Sequence, residues 1–262
     1  MNRDGRLRLG GSDHALFASD MHLGDHDPQT ADWFFASLAS RAQSITHLFL
    51  LGDIFEAWVG DDQPDKVAAQ LGEHLSRLAA RGVFVGLMRG NRDFLLGVAQ
   101  PGGSAGSWPE RCGAQRLDDP TVVDLFGMPV LLAHGDSWCT DDHDYQRFRA
   151  EVRSPAWQQT FLARPLAERL AIARAMRAQS ERNKLDHDPG DVNHSAVVEG
   201  LTAGGASRVI HGHTHRPGRY SLAVNTTRPD APERWVLPDW SAQARRGGWI
   251  TVNETGWTAS LA

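Results

Sequence analysis

The chain has 262 residues, of which 41% are hydrophobic and 23% charged, ordinary values for a soluble globular protein with one sizeable core or one domain carrying an insertion. No run approaches the roughly 18 to 20 apolar residues of a membrane-spanning helix, and a formal net charge of −5 argues against a general nucleic-acid binder. Two cysteines without paired spacing, Cys112 and Cys139, suggest reduced buried thiols and exclude a disulfide framework or a zinc knuckle.

The opening MNRDGRLRLGGSDH carries arginines with no apolar segment behind them. That excludes a secretory signal and predicts a flexible tail over residues 1–13 on a cytoplasmic protein. HALFASD (14–20) is a β-prone run ending in a polar cluster, and HLFLLGD (47–53) repeats the form. Between them Ala31, Phe34, Phe35, Leu38 and Ala42 recur at helical spacing. Val67, Leu71, Leu75 and Leu78 predict a second helix, opening near Pro64 with Asp61 and Asp62 as its caps and closing at Gly82. The strand VFVGLMRGN (83–91) follows, then a loop, PGGSAGSWP (101–109). PVLLAHGD (129–136) and SRVIHGHTH (207–215) are further buried strands. RWVLPDW (234–240) and GWITVN (248–253) lack a helix between them and predict a second, more antiparallel sheet at the C-terminal end. The βαβα order specifies an α/β fold with helices covering the sheet.

Each of the first five strands stops in a polar cluster: Asp20 and His22, then Asp53, Asn91, His134, and last His213 with His215. Open α/β sheets place ligand sites at the C-terminal ends of their strands, so these side chains are candidates for one site. Singly, each has a plain alternative: a capped turn for Asp20 and His22, a hydrogen-bonded core histidine for His134. The GHTH pair is stronger, because imidazoles at i and i+2 of a strand end point the same way. Together, five strand ends supply only Asp, Asn and His.

Four histidines, two carboxylates and an amide oxygen are too many donors for one ion, whereas two ions sharing a carboxylate use all seven. Imidazole and hard oxygen without thiolate suit Mn²⁺, Fe²⁺ or Co²⁺, with Zn²⁺ open on affinity grounds. Paired dications fit in-line displacement at phosphorus, which makes the expected chemistry phosphoester or phosphoanhydride hydrolysis.

The ordered set D-x-H, G-D, G-N, H-G-D and G-H-T-H resembles the calcineurin-like metallophosphoesterases. The resemblance implies a four-layer αββα sandwich of two mixed sheets flanked by helices, over residues 14–262. It also implies that Asp20, His22, Asp53 and His215 bind one ion and that Asp53, Asn91, His134 and His213 bind the other, with Asp53 bridging. Asp53, Asn91, Arg92 and His134 are then the residues expected to carry catalysis.

Arg92 narrows the substrate. Many members of that superfamily have a histidine directly after the asparagine, able to protonate a leaving alkoxide, whereas a guanidinium with a pKa above about 12 cannot. The leaving group should need no proton. A phosphate with a second pKa near ~6 qualifies, which points to a phosphoanhydride with Arg92 clamping its oxygens. The alternative is that Arg92 pairs with Asp93 or another carboxylate and holds the loop.

Residues 143–184 carry nine Arg or Lys against four Asp or Glu, a local excess of five in a chain whose total is −5. Tyr145, Phe148, Val152, Phe161, Leu162, Leu166, Leu170, Ala173 and Met176 recur at three- and four-residue steps, predicting amphipathic helices broken around Pro155 and Pro165. This inserted cap, residues 143–187, is expected either to pack as a hairpin with a solvated basic face or to form an acyl-chain wall lying on anionic lipid. Glu56 reads equally as an acceptor for a metal-bound water or histidine and as a partner for Arg92 or another cation. Trp58, Trp138 and Trp157 are expected in the core rather than against lipid.

The spellings SDMHL, GDIFEAWVGDD, GNRDFLLG, HGDSWCTDD, MRAQS, DVN and IHGHTHRP resemble, over nearly the whole chain, the UDP-2,3-diacylglucosamine diphosphatase family of lipid A biosynthesis. The resemblance implies two Mn²⁺ per chain, a lipid-nucleotide substrate, and a peripheral place on the cytoplasmic face of the inner membrane, with the basic cap on the membrane surface and neither nucleic acid nor an obligate protein partner. Its substrate contacts map onto Asn91, Arg92, Asp142, Ser180 and His213. The cap contacts Asn183 and Lys184 are spaced more tightly than in that family, and His187 could fill one of those places. Two other readings stay open: a general dinuclear phosphoesterase acting on another phosphodiester or nucleotide diphosphate, and an inactive interaction scaffold, against which the complete ligand set argues.

Overall fold

The structure is a computed structural model that describes residues 6–100, 106–186, 190–223 and 231–261, with side chains throughout except at 179–186. In chain order its first half runs β1 (Arg8–Leu9), β2 (His14–Ala18), α1 (Pro28–Arg41), β3 (His47–Leu51), α2 (Lys66–Ala80), β4 (Phe84–Met88), the single turn α3 (Trp108–Arg111), β5 (Gln115–Arg116), β6 (Thr121–Leu125) and β7 (Met128–Leu132). The second half adds α4 (His143–Val152), α5 (Pro155–Leu162), α6 (Leu166–Asp186), α7 (His194–Gly204), β8 (Arg208–His211), β9 (Gly218–Ser221), β10 (Glu233–Val236), β11 (Gly248–Asn253) and β12 (Gly256–Leu261).

The strands form two six-stranded mixed sheets, ordered β12-β11-β2-β3-β4-β5 and β1-β6-β7-β8-β10-β9. In the first, β2, β3, β4 and β5 are parallel and β11 runs antiparallel to β2. Side chains alternate along each central strand. Phe17, Phe49, Leu51 and Met88 face the other sheet and meet Val130, Leu132 and Ile210, with the Phe17 and Phe49 rings stacked 4.8 Å apart. The intervening Leu16, Leu48 and Leu50 face outward, against Phe34, Leu38, Leu71 and Leu75 of α1 and α2. On the far side, Leu131 and Val209 pack against Val197 and Leu201 of α7. These are the four layers, helix, sheet, sheet, helix. Because both faces of β3 are covered, its sequence HLFLL is a continuous apolar run instead of an alternating one. Truncating Phe49, which has no exposed surface, to alanine would cost about 3 to 5 kcal/mol through the cavity it leaves.

Four expectations are corrected. RWVLPDW and GWITVN do not share a sheet: β10 joins β8 in the second sheet and β11 joins β2 in the first. The tail does not extend to residue 13, because β1 pairs with β6 and Leu9 is 1% exposed in the inter-sheet core. Helix α2 is capped by Asp65, whose side chain accepts from Ala68 N, while Asp61 accepts from Trp58 Nε1, Gly97 N and Trp108 N and so ties two loops together. The loop at 101–109 ends in α3, closed by a Ser107–Glu110 capping box, and its residues 101–105 lie outside the described residues.

The cap is three helices, with Pro155 at the first turn of α5 and Pro165 just before α6, positions where a missing N–H costs nothing. Val152, Phe161 and Leu162 are buried, and Leu166, Leu170 and Ala173 pack against the hydrophobic core. Phe148 is exposed. The expected basic face is only partial, since Arg149, Arg153, Arg169 and Arg177 turn inward to acidic partners on the core. Trp58 and Trp138 are core residues, Trp157 is half-buried against Phe161 and Phe94, and both cysteines are free and buried.

Candidate metal centre

Every ligand residue anticipated in the sequence sits just past the C-terminal end of a strand: Asp20 and His22 after β2, Asp53 after β3, Asn91 after β4, His134 after β7, and His213 and His215 after β8. The loops are laced together by their own backbones. Asp20 N donates to Gly52 O, His22 N to Asp53 O, and Gly212 N to His134 O, at 2.9 to 3.1 Å. Five of the seven residues, Asp20, His22, Asp53, His213 and His215, adopt left-handed φ angles between 48° and 67°. Non-glycine residues take that region at an energetic cost, and such strain collects where a site demands a particular side-chain direction. Gly212 has a related purpose. A Cβ there would lie 2.1 Å from Asp20 Oδ2, so the glycine lets the histidine loop close onto a ligand carboxylate.

The side chains converge. Ligand atoms of Asp20, His22 and His215 lie within 4.8 Å of one another, as do those of Asp20, Asp53 and His134. Asp20 belongs to both groups, and Asp53, in the second, reaches the first as well, with Oδ2 3.8 Å from His22 Nε2 and Oδ1 3.6 Å from His134 Nε2. His134 Nδ1 donates to Leu51 O at 3.0 Å, which turns Nε2 toward the other candidate ligands. Nε2 lies 3.0 Å from Asn91 Oδ1, and Asn91 Oδ1 also meets His213 Nδ1 at 2.9 Å. Asp20 Oδ1 is buried with no hydrogen-bond partner among the described residues. Carboxylates, imidazoles and an amide oxygen gathered this closely form a donor set that fits divalent metal.

The field has the same sign. Burial opposes charge on His134, but Asp53, Asp20, Asp136 and Asp119 outweigh it and push its pKa up to about 9. Burial likewise resists ionisation of Asp20, yet His215, His134 and His22 hold its carboxyl well below the usual range. His213 is pushed down to about 4 by burial and by His134, which keeps its imidazole neutral. His22 is held below its ordinary value by burial, against the pull of Asp53 and Asp20, with Arg92 close enough to contribute.

Behind the candidate ligands stand further charged groups, most of which patterning did not single out. Asp93, fully buried, accepts from Gly90 N, Ile54 N and Phe55 N at 2.6 to 3.3 Å, joining the Asp53 and Asn91 loops. Burial and Asp53 push its pKa up to about 6. Asp239, after β10, faces His215 Nδ1 at 3.5 Å and is itself paired with Arg246. Glu56 has its carboxylate 3.4 Å from His22 Nδ1 and is paired with Arg177 of the cap, the second of its two open roles. Asp136, buried behind His134, receives the Tyr145 hydroxyl, Arg149 and Arg153, while the Tyr145 ring stacks against His213. Residues 145, 149 and 153 lie four apart on α4 and its C-cap, a polar helical stripe readable in the sequence had its buried partner been known.

The anticipated substrate contacts divide. Arg92 lies in the ligand turn, where its N–H donates to Asp53 Oδ1 at 2.8 Å and its carbonyl accepts from Trp58 N. Both Asp93 oxygens accept backbone N–H groups, so that carboxylate anchors loops. Asp142 is the exposed N-cap of α4, accepting from Tyr145 N. The side chains of Ser180, Asn183 and Lys184, and the whole of His187, lie outside the described residues.

Residues 14–217 match the calcineurin-like phosphoesterase family. A UDP-2,3-diacylglucosamine hydrolase of Chromobacterium violaceum is 46% identical over 92% of this chain and 95% of its own length. Proteins of the same name from Cellvibrio japonicus, 44% identical over 93% of this chain and 96% of theirs, and from Stenotrophomonas maltophilia, 41% identical over 93% and 96%, are also similar. With its seven donors gathered at the strand ends of an αββα sandwich, the chain belongs to the calcineurin-like phosphoesterases and, within them, to the UDP-2,3-diacylglucosamine hydrolase family.

Proposed function

We propose that this chain hydrolyses the pyrophosphate bond of UDP-2,3-diacylglucosamine by water attack on the α-phosphorus, giving UMP and 2,3-diacylglucosamine 1-phosphate for lipid A biosynthesis, with two Mn²⁺ in its site. The observation that carries the reading is Arg92: a permanent cation, not a proton donor, occupies the turn whose amide holds the shared carboxylate. Relatives named for this substrate match over nearly the whole chain. Divalent cations supply the electrophilic chemistry, acidifying a water and neutralising phosphoryl charge. The residues do the rest. Asp53 is oriented by the Arg92 amide, His134 by Leu51 O and His215 by Asp239, so the donors are set before substrate arrives. Arg92 clamps the pyrophosphate oxygens, and the departing phosphate leaves as its own anion. The imidazole and oxygen donors, with no thiolate among them, suit Mn²⁺.

No helix among the described residues is long and apolar enough to cross a membrane. Exposed Phe148, with Arg147, Arg164 and Arg174 also exposed, supports a peripheral membrane face on the cap. The test is Mn²⁺-dependent release of UMP from UDP-2,3-diacylglucosamine, compared with the deacylated analogue. Strong preference for the acylated substrate is expected. Equal turnover of both would overturn lipid recognition, and turnover of simple phosphodiesters alone would return the chain to the general phosphoesterase reading.

A further inference from the structure

Among the described residues, Arg169 is the most deeply buried basic side chain of the cap, 2% exposed on α6. Its guanidinium enters the turn at Val59–Asp62, which follows the Asp53 loop. Nη1 donates to Val59 O at 2.6 Å and to Asp62 Oδ1 at 2.9 Å, Nη2 pairs with Asp62 Oδ2, and Nε donates to Arg164 O at 3.0 Å. The turn is shaped to admit it. Gly60 has a φ of 141°, and a Cβ there would lie 2.4 Å from Arg169 Nη1. Asp62, in turn, is held by Gln100. A single planar fork thus joins α6 to the core at three bonds, with a fourth to Arg164 O inside the cap, a geometry lysine cannot reproduce.

Eight residues further along the same helix, about 12 Å at 1.5 Å per residue, Arg177 meets Glu56, whose carboxylate faces the metal-ligand candidate His22. A tilt of about 10° at Arg169 would move that end of α6 by roughly 2 Å over this lever, enough to change what the cap presents to a bound substrate. We propose that Arg169 is a positioning residue for the reaction: its insertion at Gly60 and Asp62 sets where the cap stands over the metal centre, and so sets discrimination between substrates that reach the cap and those that reach only the ions. This rests on the reading of the cap as a substrate wall.

The test uses Arg169→Lys and, independently, Gly60→Ala, which obstructs the arginine from the other side. Three probes are compared with Mn²⁺ present: UDP-2,3-diacylglucosamine, its deacylated analogue, and bis-p-nitrophenyl phosphate. Both variants are expected to lose about tenfold in kcat/KM on the acylated substrate, mostly through KM, while staying within about twofold on the aryl diester. Amide hydrogen exchange in α6 should speed up in both, whereas exchange in β3 and β4 should not. An acylated-to-deacylated ratio unchanged in both variants overturns the proposal. So does a parallel loss on all three probes, or failure of both variants to fold, since either makes Arg169 a stability residue only. Absence of acyl preference in the wild-type enzyme is a separate result, which defeats the reading of the cap and not the latch geometry.

Discussion

Replacing Asp136 by asparagine removes one negative charge from a site with no exposed surface. Its Oδ2 accepts the Tyr145 hydroxyl at 2.5 Å, Arg149 Nε at 2.9 Å and Arg153 Nη2 at 3.3 Å. Breaking a buried ion pair by removing one partner typically costs about 3 to 5 kcal/mol, because the remaining charge is left uncompensated. Here both arginines keep a second acceptor: Arg149 lies 3.5 Å from Asp119, and Arg153 donates to Gly90 O at 3.0 Å. The expected loss is therefore at the lower end, about 3 kcal/mol. Urea unfolding at pH 7 with metal concentration held constant measures it, and α4 should lose hydrogen-exchange protection at the same time. Asp144→Asn is the control, because its pair with Arg147 is solvated, with side chains 88% and 76% exposed, and should change stability by less than about 0.5 kcal/mol. If Asp136→Asn costs no more than Asp144→Asn, the claim that a buried carboxylate anchors the cap is wrong.

Arg92→Ala should lose roughly 2 to 4 kcal/mol of transition-state stabilisation with metal content unchanged, and near wild-type turnover would sink the clamp. Asp239→Asn should weaken Mn²⁺ binding about 10- to 100-fold by freeing the His215 ring, read by titration calorimetry; unchanged affinity would show that Asp239 does not orient the ligand. Arg234 holds the Asp191 carboxyl below its ordinary value, so that pair stabilises fully above about pH 4 and loses its effect as pH falls through the folded-state value. Asp191→Asn should thus have a lower urea midpoint than wild type at pH 6, with the gap narrowing below about pH 4. A gap that stays constant with pH would contradict the sign of that shift.

The central strands and the gathering of the candidate ligands were legible in the chain because each depends on local pattern. Continuous apolar runs such as HLFLL report burial on both faces, and polar clusters closing those runs mark the strand ends where ligands gather. Weaker signals failed for a physical reason: β1 is two residues long, and β10 and β11 look alike in sequence although they pair with different sheets. Strand pairing is a long-range choice, made by which apolar faces meet. The charge of the cap was countable in the sequence, but its direction was not. Arg149, Arg153, Arg169 and Arg177 read as a solvated basic face until the folded chain brings Asp136, Asp62 and Glu56 beneath them. Asp93 and Asp239 were equally silent, since a carboxylate that orients a neighbour has no periodicity and is recognised only by the groups it touches. Residue type and spacing therefore pointed to a metal site and an α/β fold, the family resemblance supplied the αββα layering, and the tertiary structure decided which charges hold the site in place, because a charge acquires its partner only when distant segments are packed together.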